Sequence, residues 1–317
     1  MYEKEPIFLE PVFKERIWGG TKLREEFGYD IPSDTTGECW GISAHPNGPS
    51  KIKNGPLEGK TLEFAWGNHR ELFANEPGDE FPLLIKILDA KKDLSVQVHP
   101  DDKYAREVEG EPYGKTECWY IIDCEEGAEL IFGHHAQTRD EFEKMVEEGE
   151  WDKLLRRIPI SPGEFYYVPS GTIHAIGAGT MILETQQSSD ITYRVYDYNR
   201  RDAEGNTREL HIEASIEVSI IPHVDPHFDP TREEKQGLTS EKLITQEYFT
   251  VYKWELDGKV SMESEEKYLL ASVLEGEAEL ITGDQSYNIK KGDLFILPST
   301  ISGFSLEGKA HLVVSHT

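Results

Sequence analysis

Four residues in the middle of this chain have the types and spacing of a metal-ligand set. Gln97 and His99 stand in Ser95-Val96-Gln97-Val98-His99-Pro100, Glu117 in Gly114-Lys115-Thr116-Glu117-Cys118-Trp119, and His174 in Pro169-Ser170-Gly171-Thr172-Ile173-His174. Side chains alternate faces along an extended strand, so Gln97 and His99 point to one side. Two imidazoles, one carboxylate and one amide oxygen are borderline-hard donors. They suit one zinc ion per chain, with a position left open for water or substrate; iron and manganese fit the same donor types. Zinc in such a site polarises a carbonyl or hydroxyl without redox chemistry. The expectation is a metalloenzyme whose substrate groups lie elsewhere in the chain.

The densest run of such groups is Ile182-Leu183-Glu184-Thr185-Gln186-Gln187-Ser188-Ser189-Asp190-Ile191-Thr192-Tyr193-Arg194. Glu184 and Arg194 neighbour apolar residues that belong in a core, and a barrel interior holds such charges only if they are paired, solvated or ligated. The planar arginine fork suits phosphate or sugar oxygens. Lys115 alternates with Glu117 and shares its strand face. Arg194, Glu184 and Lys115 are therefore the catalytic candidates. The structural alternative is a pair of plain ion pairs, Glu184 with Arg194 and Lys115 with Glu117.

The elements that must position these residues are mostly strands. Leu84–Ile87, Leu94–Val98, Glu117–Ile122, Glu129–Phe132, Phe165–Val168, Met181–Thr185 and Thr192–Tyr196 are short β-patterned runs between Gly, Pro and Asp, which argues for a sandwich or barrel. Helical periodicity is confined to Leu62–Ala74, Ile212–Ile220 and a stretch around Thr138–Arg156, where Thr138 followed by Glu141 forms a start signal. An internal repeat runs through the chain. Ser161–Ser170 resembles Lys290–Ser299, and Ala128–Ile131 resembles Ala278–Ile281. The helical stretch is extra in the first copy, which makes it an insertion. The second copy lacks the ligands, with Gly303 where His174 would stand and Lys267 opposite Glu117. The Pro- and Asp-rich segment His223–Thr239 separates the copies, giving a catalytic domain over residues 1–235 and a degenerate lobe over residues 236–317.

A chain of 317 residues with a formal charge of −27 disfavours nucleic acid and anionic membrane as partners. A phosphorylated small molecule remains compatible, because a cleft can be locally positive. Three cysteines make a poor disulfide framework and suit a reducing cytosol. The N-terminal residues show no leader pattern, and no apolar run has the roughly 18 residues a membrane span requires. The oligomeric state is not legible.

Gly163-x5-Pro169-x-Gly171-x2-His174 resembles the second motif of the cupin superfamily, whose barrel presents this histidine to an interior metal. Ala178 stands where an asparagine is common, Gln97-x-His99 replaces His-x-His, and Glu117 lies far beyond His99, so Asp101–Tyr113 is an insertion carrying part of the site. These departures match one family. With Lys14-Glu15-Arg16-Ile17-Trp18-Gly19-Gly20 near the start and Ser189-Asp190-Ile191-Thr192-Tyr193-Arg194-Val195-Tyr196-Asp197 after the barrel strands, the chain resembles the short bacterial form of type I mannose-6-phosphate isomerases. The resemblance implies two cupin (double-stranded β-helix) lobes with a helical insertion, zinc on Gln97, His99, Glu117 and His174, and a catalytic Arg194. It implies interconversion of mannose 6-phosphate and fructose 6-phosphate through a cis-enediol. Glu184 is the favoured base, with His99 and Lys115 as competitors. Trp18 anchors the N-terminal segment or walls the pocket. The rival functions are a non-catalytic sugar-binding cupin, an isomerase of another phosphosugar and a cupin oxygenase, the last disfavoured by Gln97 where oxygenases carry a third histidine.

Overall fold

The computed structural model describes residues 4–201, 205–263 and 267–317. Met1–Glu3, part of the segment inspected for a leader, lie outside the described residues. Strands dominate, and every paired strand is antiparallel. They form three sheets. A six-stranded sheet runs in the order Phe165–Val168, Glu117–Cys124, Thr180–Gln187, Leu83–Ala90, Thr36–Ile42, Val12–Gly20. A five-stranded sheet runs Tyr193–Tyr196, Val96–Val98, His174–Ile176, Glu129–His134, Leu155–Pro159.

These two sheets close over a shared apolar core in which Leu88, Trp119, Ile121 and Ile182 of the first meet Leu130, Phe132 and Ile176 of the second. Alternation along each strand puts such residues on the inner face and lets the same face carry polar groups at one end. The metal-ligand candidates occupy that end.

The nine-stranded sheet holds the C-terminal lobe, including the long strands Thr250–Glu263, Leu269–Thr282 and Gly303–His316, and takes in Ile7–Glu10 and Lys51–Ile52 from the start of the chain. The first strand pairs Ile7 with Ile296 and Phe8 with Phe295. Main-chain hydrogen bonds and apolar burial therefore cross between the first and last parts of the chain.

Each expected strand is present, with ends shifted by at most three residues. The start signal at Thr138 also holds: its hydroxyl accepts from the Glu141 amide, and the Glu141 carboxylate accepts from the Gln137 amide at 2.7 Å. The helical insertion ends at Leu154, earlier than expected, because Leu155–Pro159 pairs with Glu129–His134 as an edge strand. Leu62–Ala74 is an α-helix to Asn68 and a separate 3-10 turn from Arg70 to Phe73. The segment expected to separate the copies contains a β-hairpin, with Thr231–Lys235 paired to Leu238–Thr245. Its outer strand is fully exposed and charged, the composition that protects a sheet edge from adding further strands.

Gly171 shows why the histidine motif needs its glycine. Its φ is +82°, and a Cβ there would lie 2.8 Å from the Val218 carbonyl oxygen and 2.9 Å from Ile220. Its amide donates to the His99 carbonyl at 2.8 Å, so the turn ties one ligand strand to the other. Gly171→Ala is expected to lower stability by about 1–3 kcal/mol through backbone strain and to loosen the site as well. Urea unfolding together with metal titration checks this, and an unchanged midpoint would show that the turn adapts.

Candidate metal centre

The five-stranded sheet supplies Gln97 and His174, which face each other in register across neighbouring strands. The six-stranded sheet supplies Glu117. His99 follows the Val96–Val98 strand. The long excursion between His99 and Glu117 is pinned at its base: the Lys115 amide donates to the Pro100 carbonyl at 3.0 Å, and the Gly114 amide donates to Asp102 Oδ1 at 2.8 Å. Gly114 permits this approach, since a Cβ would sit 2.4 Å from the Asp101 carbonyl carbon. Glu117 thus returns beside His99 despite the intervening residues.

All three ionisable ligand candidates are buried, and their donor atoms lie within 4.8 Å of one another. His174 Nε2 is 3.4 Å from Glu117 Oε1, and His99 Nε2 is 3.6 Å from Glu117 Oε2. The Gln97 amide end is 3.3 Å from His174 Nε2. Ligands at about 2.0–2.2 Å from a tetrahedral zinc stand about 3.3–3.6 Å apart, so these three separations fit. The other ring nitrogens are engaged, with His99 Nδ1 2.8 Å from the Ile191 carbonyl and His174 Nδ1 2.8 Å from the Thr172 carbonyl. Donation there fixes the tautomer that aims an Nε2 lone pair inward.

Burial and the Lys115 charge hold the His99 pKa well below its ordinary value, and burial is also the main cause that depresses His174, to about 3. Both rings are neutral. Burial and the charge of Glu184 push the Glu117 carboxyl up, against the pull of Lys115. The Lys115 ammonium is 2.6 Å from Glu117 Oε2, yet neither Glu117 oxygen receives an aligned hydrogen bond. Two lone-pair nitrogens facing a buried carboxylate crowd acceptors together, with only the Lys115 ammonium and the Gln97 amide beside them as donors. A cation bound there would resolve the conflict.

Glu184 occupies the centre of a row running across the six-stranded sheet. Trp40 is opposite Lys86, Lys86 opposite Glu184, and Glu184 opposite Trp119. Lys86 Nζ lies 3.3 Å from Glu184 Oε2, and Trp119 Nε1 donates to Oε1 at 3.1 Å. Burial alone would raise the Glu184 pKa, but Lys115, Lys86 and the Trp119 donor hold it below the usual carboxylate range. The expected alternative pairing of Glu184 with Arg194 is not what forms. Arg194 donates instead to Ser95 Oγ at 3.3 Å and to the Glu209 carbonyl at 2.8 Å. Lys115 does pair with Glu117, and it also lies 3.1 Å from His99 Nε2.

A cleft of about 520 Å³ leads to this group, lined by Gln97, Lys115, Glu184, Lys86 and Arg194 among others. Trp18 also lines it while being 4% exposed, so it serves as both anchor and wall. The opposite side carries Arg16, whose fork is held by Glu38 at 2.8 and 3.1 Å; Glu38 also accepts from Trp40 Nε1 at 2.6 Å. A pocket of similar size, about 510 Å³, is lined by Glu63, Asp79 and Glu80 and contains none of the metal-ligand candidates. Lys86, Glu38 and Arg208 are site residues that the motifs did not point to, and Trp119 lay in the Glu117 motif with no role assigned to it. One signal existed for Lys86, a lone charge inside the apolar run Leu83–Leu88.

Fold and site together define a two-lobed cupin with a buried His-Glu-His group at the floor of a polar cleft. The family model for the catalytic domain of type I phosphomannose isomerase matches residues 7–144, and that for the mannose-6-phosphate isomerase cupin domain matches residues 239–317. The chain is 54% identical to the mannose-6-phosphate isomerase ManA of Bacillus subtilis, over 98% of this chain and 99% of that protein. It is 53% identical to the mannose-6-phosphate isomerase of Streptococcus mutans, over 99% of this chain and 98% of that one. A crystal structure of the Bacillus subtilis mannose 6-phosphate isomerase superposes with a TM-score of 0.96 at 53% identity, covering 98% of this chain and 99% of that chain. A mutant phosphomannose isomerase from Salmonella typhimurium, 17% identical, shares the fold with a TM-score of 0.81 over 98% of this chain and 99% of that one. This chain belongs to the type I phosphomannose isomerase family.

Proposed function

We propose that the chain interconverts mannose 6-phosphate and fructose 6-phosphate through a cis-enediol, with one zinc ion held by Gln97, His99, Glu117 and His174. The observation that carries this is the convergence of two neutral imidazole nitrogens on the buried Glu117 carboxylate, 3.4 and 3.6 Å from its oxygens. Similarity over nearly the whole chain to the mannose-6-phosphate isomerases of Bacillus subtilis and Streptococcus mutans supports the substrate. Gln97 would turn its amide oxygen toward His174 Nε2 to complete the set. When bound, zinc supplies Lewis-acid polarisation of the sugar oxygens near C1 and C2.

The remaining roles fall to the chain's own groups. Glu184 lines the cleft and is ionised, so it can accept the C2 proton of the aldose and return it to C1. The other two candidates are worse placed as bases. Lys115 has a raised pKa, set by burial against the stronger combined pull of Glu117 and Glu184, and so carries its proton. His99 has one nitrogen against a carbonyl and the other turned to the metal-ligand group. Lys115 can instead donate to a developing oxyanion. Arg194, held by neutral acceptors alone, keeps its full charge for the oxygens of the sugar. All these groups lie in the proposed catalytic domain, residues 1–235. The three free cysteines suit work in the cytosol.

A coupled assay of mannose 6-phosphate conversion tests the proposal on protein as isolated, after chelation and after zinc is added back. Activity should disappear with chelator and return with zinc. A protein that binds stoichiometric zinc and converts no mannose 6-phosphate would rule the proposal out.

A further inference from the structure

We propose that Arg208, oriented by Asp197, holds the phosphate of the substrate at the outer end of the cleft. This rests on the isomerase proposal for the identity of the phosphorylated ligand. Asp197 is 4% exposed and receives Arg208 Nε on Oδ2 at 2.7 Å, Arg208 Nη2 on Oδ1 at 2.6 Å and Arg200 Nε on Oδ1 at 3.0 Å. One carboxylate therefore neutralises one of two guanidiniums, and a full positive charge is left over. Arg200 is turned away: it donates to the Asp93 carbonyl, lies over the Tyr198 ring and does not line the cleft. Arg208 does line it, and Asp197 engages only one edge of its fork. Among the described residues its Nη1 has no hydrogen-bond partner. A fork fixed on one edge and open on the other is a preorganised receptor for a phosphate oxygen pair.

The other cleft arginines differ. Arg16 and Glu38 form a closed pair of zero net charge, and Arg16 Nη1 is also used by the Glu15 carbonyl at 3.1 Å. Arg194 sits nearer the metal-ligand group, because it is in register with Gln97 and its head group is on Ser95. Ser95 is two residues before Gln97, about 6.6 Å along an extended strand. The chain then leaves the strand at Tyr196, which is opposite Val96, and Asp197 continues outward. Gln97, Arg194 and Arg208 thus line one cleft, with Arg194 beside the metal-ligand group through its register with Gln97. Arg194 also feels the like charge of Arg208, second only to burial among the causes that lower its pKa. Two uncompensated guanidiniums this close, in a protein of charge −27, suit a dianion.

The test uses the full-length zinc-loaded enzyme and its Arg208→Gln, Arg208→Lys and Asp197→Asn variants. Arg200 still neutralises Asp197 in Arg208→Gln, so that variant should fold, and its thermal unfolding is the check. KM for mannose 6-phosphate should rise by about tenfold to a hundredfold, the range of a charge-assisted hydrogen bond, with kcat changed much less. Arg208→Lys should fall between, because it keeps the charge without the fork. Asp197→Asn should raise KM in the same direction with Arg208 intact. Inorganic phosphate, followed by calorimetry independently of turnover, should bind more weakly to Arg208→Gln by the same factor as the KM change. Equal losses in kcat with an unchanged KM, or undiminished phosphate binding, would overturn the assignment while leaving the isomerase proposal standing. Weaker phosphate binding in a protein that never converts mannose 6-phosphate would uphold the phosphate site and reject the isomerase proposal.

Discussion

Glu117→Gln should lower kcat/KM by about a thousandfold or more and abolish tight zinc binding. The substitution keeps the shape of the side chain and removes its charge, the only anionic donor in the group. A bound metal contributes several kcal/mol of charge stabilisation in the transition state, and each 1.36 kcal/mol is about a factor of ten in rate. The two neutral imidazoles and the Gln97 amide would remain, but no charge would draw a dication out of water. Lys115 would lose its 2.6 Å partner and stand beside His99 unbalanced, which opposes a cation further. Binding a metal to the folded state alone stabilises by about 2.7 kcal/mol at a hundredfold excess over the dissociation constant. Added zinc should therefore raise the unfolding temperature of the unsubstituted protein and leave that of Glu117→Gln unmoved. Metal analysis after dialysis, the thermal shift and the coupled assay should change together. A Glu117→Gln protein that retained stoichiometric zinc would mean that the ligand set lies elsewhere.

The candidate ligands were legible as a set because their spacing is local. Gly171 at positive φ, the Pro169 turn and His174 follow one another within a few residues, and alternation alone places Gln97 and His99 together. The same applies to the strands, whose periodicity and bounding turns can be read within short windows. Relations that depend on register across strands were not legible. Lys86 and Glu184 are about a hundred residues apart in sequence and meet only because their strands pair in one register. Glu184 and Arg194 are natural partners in the sequence, being close along the chain and opposite in charge. They separate in space because Thr180–Gln187 belongs to the six-stranded sheet and Tyr193–Tyr196 to the five-stranded one.

At His223–Thr239 the Pro and Asp that mark a boundary between the copies gave no sign of the strand the segment also contains. From Thr231 onward the same polarity is that of an exposed edge strand, and Gly237 at φ +79° turns the hairpin. The helical insertion was visible from its capping residues, but its end was not, because Leu155–Pro159 becomes a strand only through its partner Glu129–His134. Arg208 lay outside every motif. Its place depends on Asp197, at the end of Ser189–Asp197, whose role emerges only when two arginines converge on it.

Glu184→Gln should separate chemistry from stability in this site. As the proposed base, its loss should reduce kcat by about 10²–10⁴ and suppress exchange of the C2 proton with solvent to the same extent. It should also destabilise the protein, for a separate reason. Lys86 and Glu184 have side chains only 7% and 4% exposed, so removing the carboxylate leaves a buried ammonium uncompensated. Breaking a buried pair from one side costs about 3–5 kcal/mol, whereas replacing both partners with apolar groups is often close to neutral. The Trp40 face, 5.1 Å from Lys86 Nζ, offsets part of that loss. Pairing Glu184→Gln with Lys86→Met should accordingly restore the urea midpoint toward the original while turnover stays low. A purely structural role for Glu184 gives the opposite pattern, with activity returning alongside stability in the double variant. Undiminished C2 exchange in Glu184→Gln would pass the proton-transfer role to another group facing the cleft, with Lys115 nearest at hand.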